Sequence, residues 1–98
     1  MSSILKVKDG VGTTIFKQSW EQFKDLKKSD PTYIARSGET YFVDSIDRGS
    51  SDTNSSNYYG GDHWKVTFTK SLEPEEGGNT LQTWLVFHGD VEEYRLVP

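Results

Sequence analysis

The chain has 98 residues, with 11 basic and 15 acidic side chains (formal net charge −4), 13% aromatic residues and no cysteine. This length suits one domain, and the aromatic content argues against wholesale disorder. No apolar run approaches the roughly 20 residues of a membrane-spanning helix. The absence of cysteine excludes a disulfide scaffold, thiolate metal sites and cysteine nucleophiles.

The first predicted element is a β-hairpin. Ile4 to Lys8 and the β-branched residues 13–15 flank Asp9-Gly10. An Asp-Gly pair favours a tight turn, because the type I′ turn requires positive φ. We therefore expect the first two strands to pair with each other.

One helix is predicted, from Ser19 to about Ser29. Ser19 and Gln22 fit a capping box, and Pro31 ends the element because the residue before proline avoids the helical region. Three apolar side chains recur at i, i+3 and i+6 on one face. These are Trp20, Phe23 and Leu26.

The rest of the chain is predicted to form strands. Residues 33–36 and 39–46 read as a second hairpin, and residues 63–69 alternate cleanly between apolar and polar. The mostly apolar run 81–87 predicts a strand covered on both faces. Residues 88–90 turn the chain into a last strand, 91–97. Residues 47–62 form a long polar loop that has no side chains suited to a core.

These elements predict an α+β fold for a single domain, 1–98, with one helix packed on a twisted, mainly antiparallel sheet of five or six strands. A helix followed by four antiparallel strands resembles the connectivity of cystatin-like folds, and is near that of barnase-type ribonucleases. No motif of either family is present, and the Gln-x-Val-x-Gly segment of cystatin-like inhibitors is missing.

Two histidines are candidates for catalysis, because their unperturbed pKa lies near neutral pH. If residues 63–69 and 81–87 form a hairpin, His63 and His88 lie at the same end of it. They could then act as an acid–base pair in metal-independent RNA cleavage, with Arg95, Lys65 or Tyr94 stabilising phosphate charge. The net charge of −4 opposes binding of a polyanion.

A metal site is a further possibility at the same place. Asp62 and Asp90 flank the two histidines, but the 25-residue spacing forms no compact signature. The expectation is therefore that the protein has no metal and no cofactor.

The leading prediction is a binding surface made by the long loop and nearby acids. Tyr58 and Tyr59 stand among Gly, Ser and Asn, a composition typical of adaptable recognition loops. The acidic residues expected to join them on a basic partner are Asp62, Glu73, Glu75 and Glu76.

The sequence thus predicts a small, acidic, non-enzymatic module that binds another protein. An inhibitor or immunity-type role fits best, for example an anti-defence protein of a phage or mobile element. A small nuclease using His63 and His88 is the alternative, and an oligomeric ligand-binding or structural subunit is a third. The partner is expected to have a basic surface, without membrane association and with little direct nucleic-acid binding. The cysteine-free chain and its polar N-terminus predict a cytoplasmic location.

Overall fold

The computed structural model describes residues 3–19, 26–27, 30–50, 54 and 59–96. These residues form seven β-strands in one antiparallel sheet. The strands are β1 (Ser3–Val7), β2 (Thr13–Lys17), β3 (Thr32–Arg36), β4 (Thr40–Asp47), β5 (His63–Leu72), β6 (Leu81–Phe87) and β7 (Val91–Arg95). Their order in the sheet is β3-β2-β6-β5-β4-β1-β7.

The predicted α+β class is wrong. Within the described residues the only helical element is a three-residue 3₁₀ turn, His88–Asp90. Most of the predicted helix, 19–29, lies outside the described residues, and Ser19, Leu26 and Lys27 are not helical where they are described. The physical reason is that the sheet coils until it covers its own core, so no helix is needed to bury its inner face.

The predicted hairpin of the first two strands and the predicted hairpin of residues 33–36 with 39–46 are also wrong, although the strands themselves exist. β1 pairs with β4 and β7, and β2 pairs with β3 and β6. Gly10 and Gly12 both take positive φ, 86° and 84°, and the five-residue connection leads β2 away from β1. Likewise β3 turns into β4 without pairing with it. The predicted β5–β6 hairpin is confirmed.

The sheet is strongly coiled. β3 and β4 are separated by three strands in the sheet order, yet the rings of Tyr33 and Tyr41 lie 6.0 Å apart. In addition, only the short turn His88–Asp90 joins β6 to β7, which are separated by three other strands. Both observations require the sheet to curl until its distant strands face each other.

The core fills the inside of this coil. Phe16 stacks on Phe68 with ring centroids 5.3 Å apart, and the buried Trp84 donates its indole N–H to the Leu81 carbonyl (2.8 Å). Aliphatic side chains from six strands complete the core: Leu5, Val7, Ala35, Val43, Val66, Val86 and Val91. Burial of each large apolar side chain contributes about 1.5–3 kcal/mol.

The two edges of the sheet differ. At the β3 edge, carboxylates accept the backbone N–H groups of alternate residues. Glu76 accepts the N–H of Thr32 (3.0 Å) and Glu75 that of Ile34 (3.2 Å). Glu39 accepts the N–H of Arg36 (2.7 Å). The chain therefore closes this edge itself, which blocks pairing with another strand. At the other edge, β1 is the one strand among the described residues that pairs with β7.

Candidate functional site

The sheet splits where the C-terminal half of β5 leaves its neighbours. The β4–β5 register runs from Asp47↔Lys65 to Val43↔Phe68 and has no partners beyond Phe68. The β5–β6 register skips from Thr67↔Thr83 to Leu72↔Leu81. Consequently residues 69–71 have no register partner on either neighbouring strand, although they are extended. Such irregularities are frequent beside functional sites.

A groove of about 420 Å³ lies in this split, and we call it the split groove. β3, β4, β5 and the start of the β5–β6 turn line it. The lining residues are Tyr33, Thr40, Tyr41, Phe42, Phe68, Thr69, Lys70, Ser71, Leu72 and Glu73. Its size lies within the range of ligand-binding clefts.

The floor of the split groove is aromatic. The ring of Tyr41 packs edge-on against Phe68 (5.7 Å). Its hydroxyl donates to Glu39 (3.1 Å) and lies 3.4 Å from the Tyr33 hydroxyl. Partial burial is the largest cause that raises the pKa of Tyr41, and the Tyr33 and Glu39 contacts raise it further. The floor therefore presents neutral hydroxyls between apolar rings.

The rim of the split groove carries one large exposed ring and several charges. Phe42 is 62% exposed, which is unusual for a phenylalanine in a strand. Glu73 lies on the rim and Glu39 stands behind Tyr41, while Asp44 accepts the Thr69 hydroxyl (2.7 Å). Lys70 is the one basic residue of the lining.

The predicted loop residues lie elsewhere. Tyr58 is outside the described residues. The Tyr59 hydroxyl donates to Asp47 (3.0 Å), and burial together with this bond raises the pKa of Tyr59. Its ring lines a second, smaller cavity of about 170 Å³ beside Lys65 and Leu85.

The predicted acidic residues do not form one surface. Asp62 lies at the start of β5, where it contacts His63, whereas Glu73, Glu75 and Glu76 follow the end of β5. A ten-residue strand spans about 33 Å. Glu75 and Glu76 also accept hydrogen bonds from β3. Of the predicted acids, Glu73 is the one that lines the split groove.

The β5–β6 register places His63 opposite Phe87, next to His88, so both histidines lie at one end of this hairpin. Their environments differ. His63 is 5% exposed, its Nδ1 lies 2.7 Å from Asp62, and its buried Nε2 has no hydrogen-bond partner in the structure. Burial lowers the pKa of His63, and the bond to Asp62 only partly offsets this. A buried nitrogen has no direct access to a substrate in solution.

The Phe87 ring lies 5.9 Å from the ring of His63 and 6.1 Å from the ring of His88. His88 itself is exposed. Its ring stacks on Trp64 (5.4 Å), and the Arg48 guanidinium lies 4.6 Å from the Trp64 ring. Arg48 also pairs with Glu93. Arg95 lies at the far end of β7 from His88. The geometry thus does not assemble His63, His88 and Arg95 around one exposed point.

The described residues contain no group of three or more His, Asp or Glu side chains arranged to hold a metal ion. In the same part of the chain, no helix is long and apolar enough to cross a bilayer.

Tyr33, Tyr41 and Phe42 line the split groove but were not predicted as site residues. A signal for Phe42 was present in the run Tyr41-Phe42-Val43. Because side chains alternate across a strand, three consecutive bulky residues place one of them on the opposite face from the other two. The position of Tyr33 over Tyr41 depends on the coil of the sheet and has no local signal.

No protein-family model matches this chain, and no curated protein or solved structure matches it.

Proposed function

We propose that this protein is a non-catalytic module that binds another protein, and that it receives an extended, basic segment of that partner in the split groove. The observation that carries this proposal is the split itself, where aromatic rings and a strand segment without register partners line one cleft. An inhibitor or immunity-type role in the cytoplasm is the physiological setting we propose for it.

An extended segment is favoured because the wall of the groove is itself a strand. Residues 69–71 are extended and lack register partners on both sides, and we propose that their backbone pairs with the peptide. Addition of a strand supplies main-chain hydrogen bonds, and adjacent pockets select alternate side chains. In the split groove, the rings of Tyr33, Tyr41 and Phe42 form the apolar walls against which such side chains pack.

A basic segment is favoured by charge. Three carboxylates lie on or near the rim, against one lysine, Lys70. The carboxylates are those of Glu73, Asp44 and Glu39. The whole chain carries a net charge of −4. A guanidinium over an exposed aromatic ring gains about 0.5–1 kcal/mol from the cation–π interaction. Charge complementarity of this kind also raises association rates and weakens as salt is added.

The test is an NMR titration with two blocked peptides that differ at one position. One is a β-prone hexapeptide of Val and Thr with a central arginine, and the other has glutamate at that position. We expect the arginine peptide to shift the resonances of Phe42, Thr69 and Lys70, with an affinity that falls as salt rises. The glutamate peptide should bind at least about tenfold more weakly.

Phe42→Ala should lower the affinity for the arginine peptide about tenfold, because it removes the exposed wall of the groove. Ile34→Ala is the matched control, since Ile34 is exposed on β3 but does not line the split groove. The proposal fails if neither peptide shifts the groove resonances, or if the shifts map to the residues around Tyr59 instead.

A further inference from the structure

The open edge of β7 adjoins a row of apolar side chains on the outer face of the sheet. The register aligns Phe42 of β4 with Ile4 of β1, and Ile4 with Tyr94 of β7. Phe42 and Tyr94 are 62% and 49% exposed. Cross-strand neighbours on one face lie about 4.5–5.5 Å apart, so these three side chains form an uninterrupted stripe that runs to the edge.

The backbone of β7 also faces outward at this edge. Lys8 N donates to the Asp90 carbonyl (2.9 Å), and hydrogen-bonding direction alternates along an antiparallel strand. Even-numbered residues of β7 therefore turn their backbone groups towards β1, whereas Glu93 and Arg95 turn theirs to the open edge. The opposite edge, β3, is closed by Glu39, Glu75 and Glu76.

We infer that the β7 edge is a self-association surface, on which a second copy of this chain pairs β7 against β7 across a two-fold axis through Tyr94. Phe42 belongs both to this stripe and to the rim of the split groove, but β1 separates the β7 edge from β4. The inference does not depend on the proposed function. The occupant is a second copy because the sequence of β7 is self-complementary in one antiparallel register.

The register follows from charge. A two-fold axis perpendicular to the sheet keeps like faces together, so it passes through one residue and its copy. An axis through Glu92, Glu93 or Arg95 places like charges directly opposite each other, which is destabilising. An axis through Tyr94 avoids this.

With the axis at Tyr94, opposite charges meet. Glu93 faces the partner's Arg95, and Arg95 faces the partner's Glu93. Arg48 already pairs with Glu93 inside the chain, and the partner's Arg95 adds a second cation beside that carboxylate. Glu92 faces the partner's Leu96, and its carboxylate accepts the Tyr94 hydroxyl of its own strand (2.9 Å).

The same axis joins the two apolar stripes. Tyr94 stands beside the partner's Tyr94, so the stripe of Phe42, Ile4 and Tyr94 continues into its copy. Tyr94 and the partner's Tyr94 form a non-hydrogen-bonded pair, for which the Cα atoms lie about 4.5 Å apart.

Cysteine substitution tests the register directly, because the chain has no cysteine. Tyr94→Cys should form a disulfide-linked dimer on mild oxidation, since its Cα spacing suits a disulfide. Glu92→Cys is the matched control on the same strand and face. Its two copies would lie about 13 Å apart, so it should stay largely unlinked.

A charge reversal tests the same interface without oxidation. In sedimentation equilibrium the unmodified chain should show a concentration-dependent dimer. Arg95→Glu should raise the dimer Kd about tenfold or more, because it places a carboxylate opposite the partner's Glu93. Arg36→Glu makes the same charge change at the closed β3 edge and should leave the Kd unchanged.

A chain that stays monomeric at its highest soluble concentration overturns the inference. So does a dimer that tolerates Arg95→Glu, or one in which Glu92→Cys links as efficiently as Tyr94→Cys. Normal unfolding curves for the variants exclude misfolding as the cause of any change.

Discussion

The hydroxyl groups of Tyr33 and Tyr41 lie 3.4 Å apart, although three strands separate β3 from β4 in the sheet. This contact closes the coil of the sheet over its core and at the same time forms the floor of the split groove. Tyr41 also donates to Glu39, which in turn accepts the backbone N–H of Arg36. One small network thus ties β3, β4 and the turn between them.

Tyr41→Phe is therefore expected to lower the free energy of unfolding by about 1 kcal/mol, the usual net value of a partly buried hydrogen bond. Chemical denaturation monitored by tryptophan fluorescence measures it. Tyr94→Phe serves as the control and should leave stability unchanged, because its exposed hydroxyl donates to Glu92 on the same strand. Equal stability of all three proteins would show that the Tyr41 contact does not stabilise the coil.

The carboxylate of Glu76 closes the start of the β3 edge by accepting both the N–H and the hydroxyl of Thr32 (3.0 and 2.6 Å). By analogy with a lost helix cap, Glu76→Ala should lower the free energy of unfolding by about 0.5 kcal/mol, the low end of the range for caps, because this carboxylate is exposed. Amide hydrogen exchange at Thr32 should accelerate in parallel. Glu73→Ala, in the same turn but without this contact, should leave that exchange rate unchanged.

These bonds also predict a response to acid. The Thr32 hydroxyl and N–H lower the pKa of Glu76 below its ordinary value of 4.5. A carboxyl group with a lowered folded-state pKa stabilises the fold above its unfolded pKa, and this stabilisation is lost as the pH falls through the folded value. Glu76→Gln should therefore flatten the pH dependence of stability below about pH 4.5. An unchanged slope would contradict this assignment.

Burial of His63 predicts a second pH dependence. Burial lowers its pKa from the ordinary 6.5, so the unfolded chain takes up this proton more readily than the folded one. The folded state should lose stability as the pH falls from about 6.5 through the lowered value. His63→Gln should remove that loss, whereas His88→Gln should retain it. Thermal melts across this pH range measure both, and a loss that persists in His63→Gln would contradict the prediction.

The double variant Tyr58→Ala, Tyr59→Ala separates the loop from the split groove as the docking surface. If the groove binds the arginine peptide, this variant should retain its affinity, because Tyr59 lines a different cavity and bonds to Asp47. Loss of binding with an unchanged melting temperature would restore the loop as the binding element. A large fall in melting temperature would show that the two tyrosines cover the sheet.

Several elements were predictable because their signals are local. The alternation of residues 63–69 located the core of β5, and the apolar run 81–87 matches β6 residue for residue. The β5–β6 pairing follows from their connecting turn. The shared end of His63 and His88 follows from that pairing.

The pairing of β1 and β2 and the fold class were not predictable in the same way. Asp9-Gly10 indicates a reversal of the chain, but it does not select a partner strand. β1 joins β4 and β7, which begin more than 30 residues later in the chain. Pairing over such separations depends on how the whole apolar surface is buried.

The sequence by itself determined the strand-rich segments, the acidic charge and the absence of cysteine chemistry, because these depend on composition and short-range periodicity. Only the tertiary structure decided which strands pair, that the sheet covers its own core, and that the predicted acids lie at opposite ends of β5. It also decided that the aromatic residues 33, 41 and 42 meet at a split in the sheet. The physical reason is that side-chain alternation specifies the faces of a strand, whereas coiling and register depend on contacts between residues far apart in the chain.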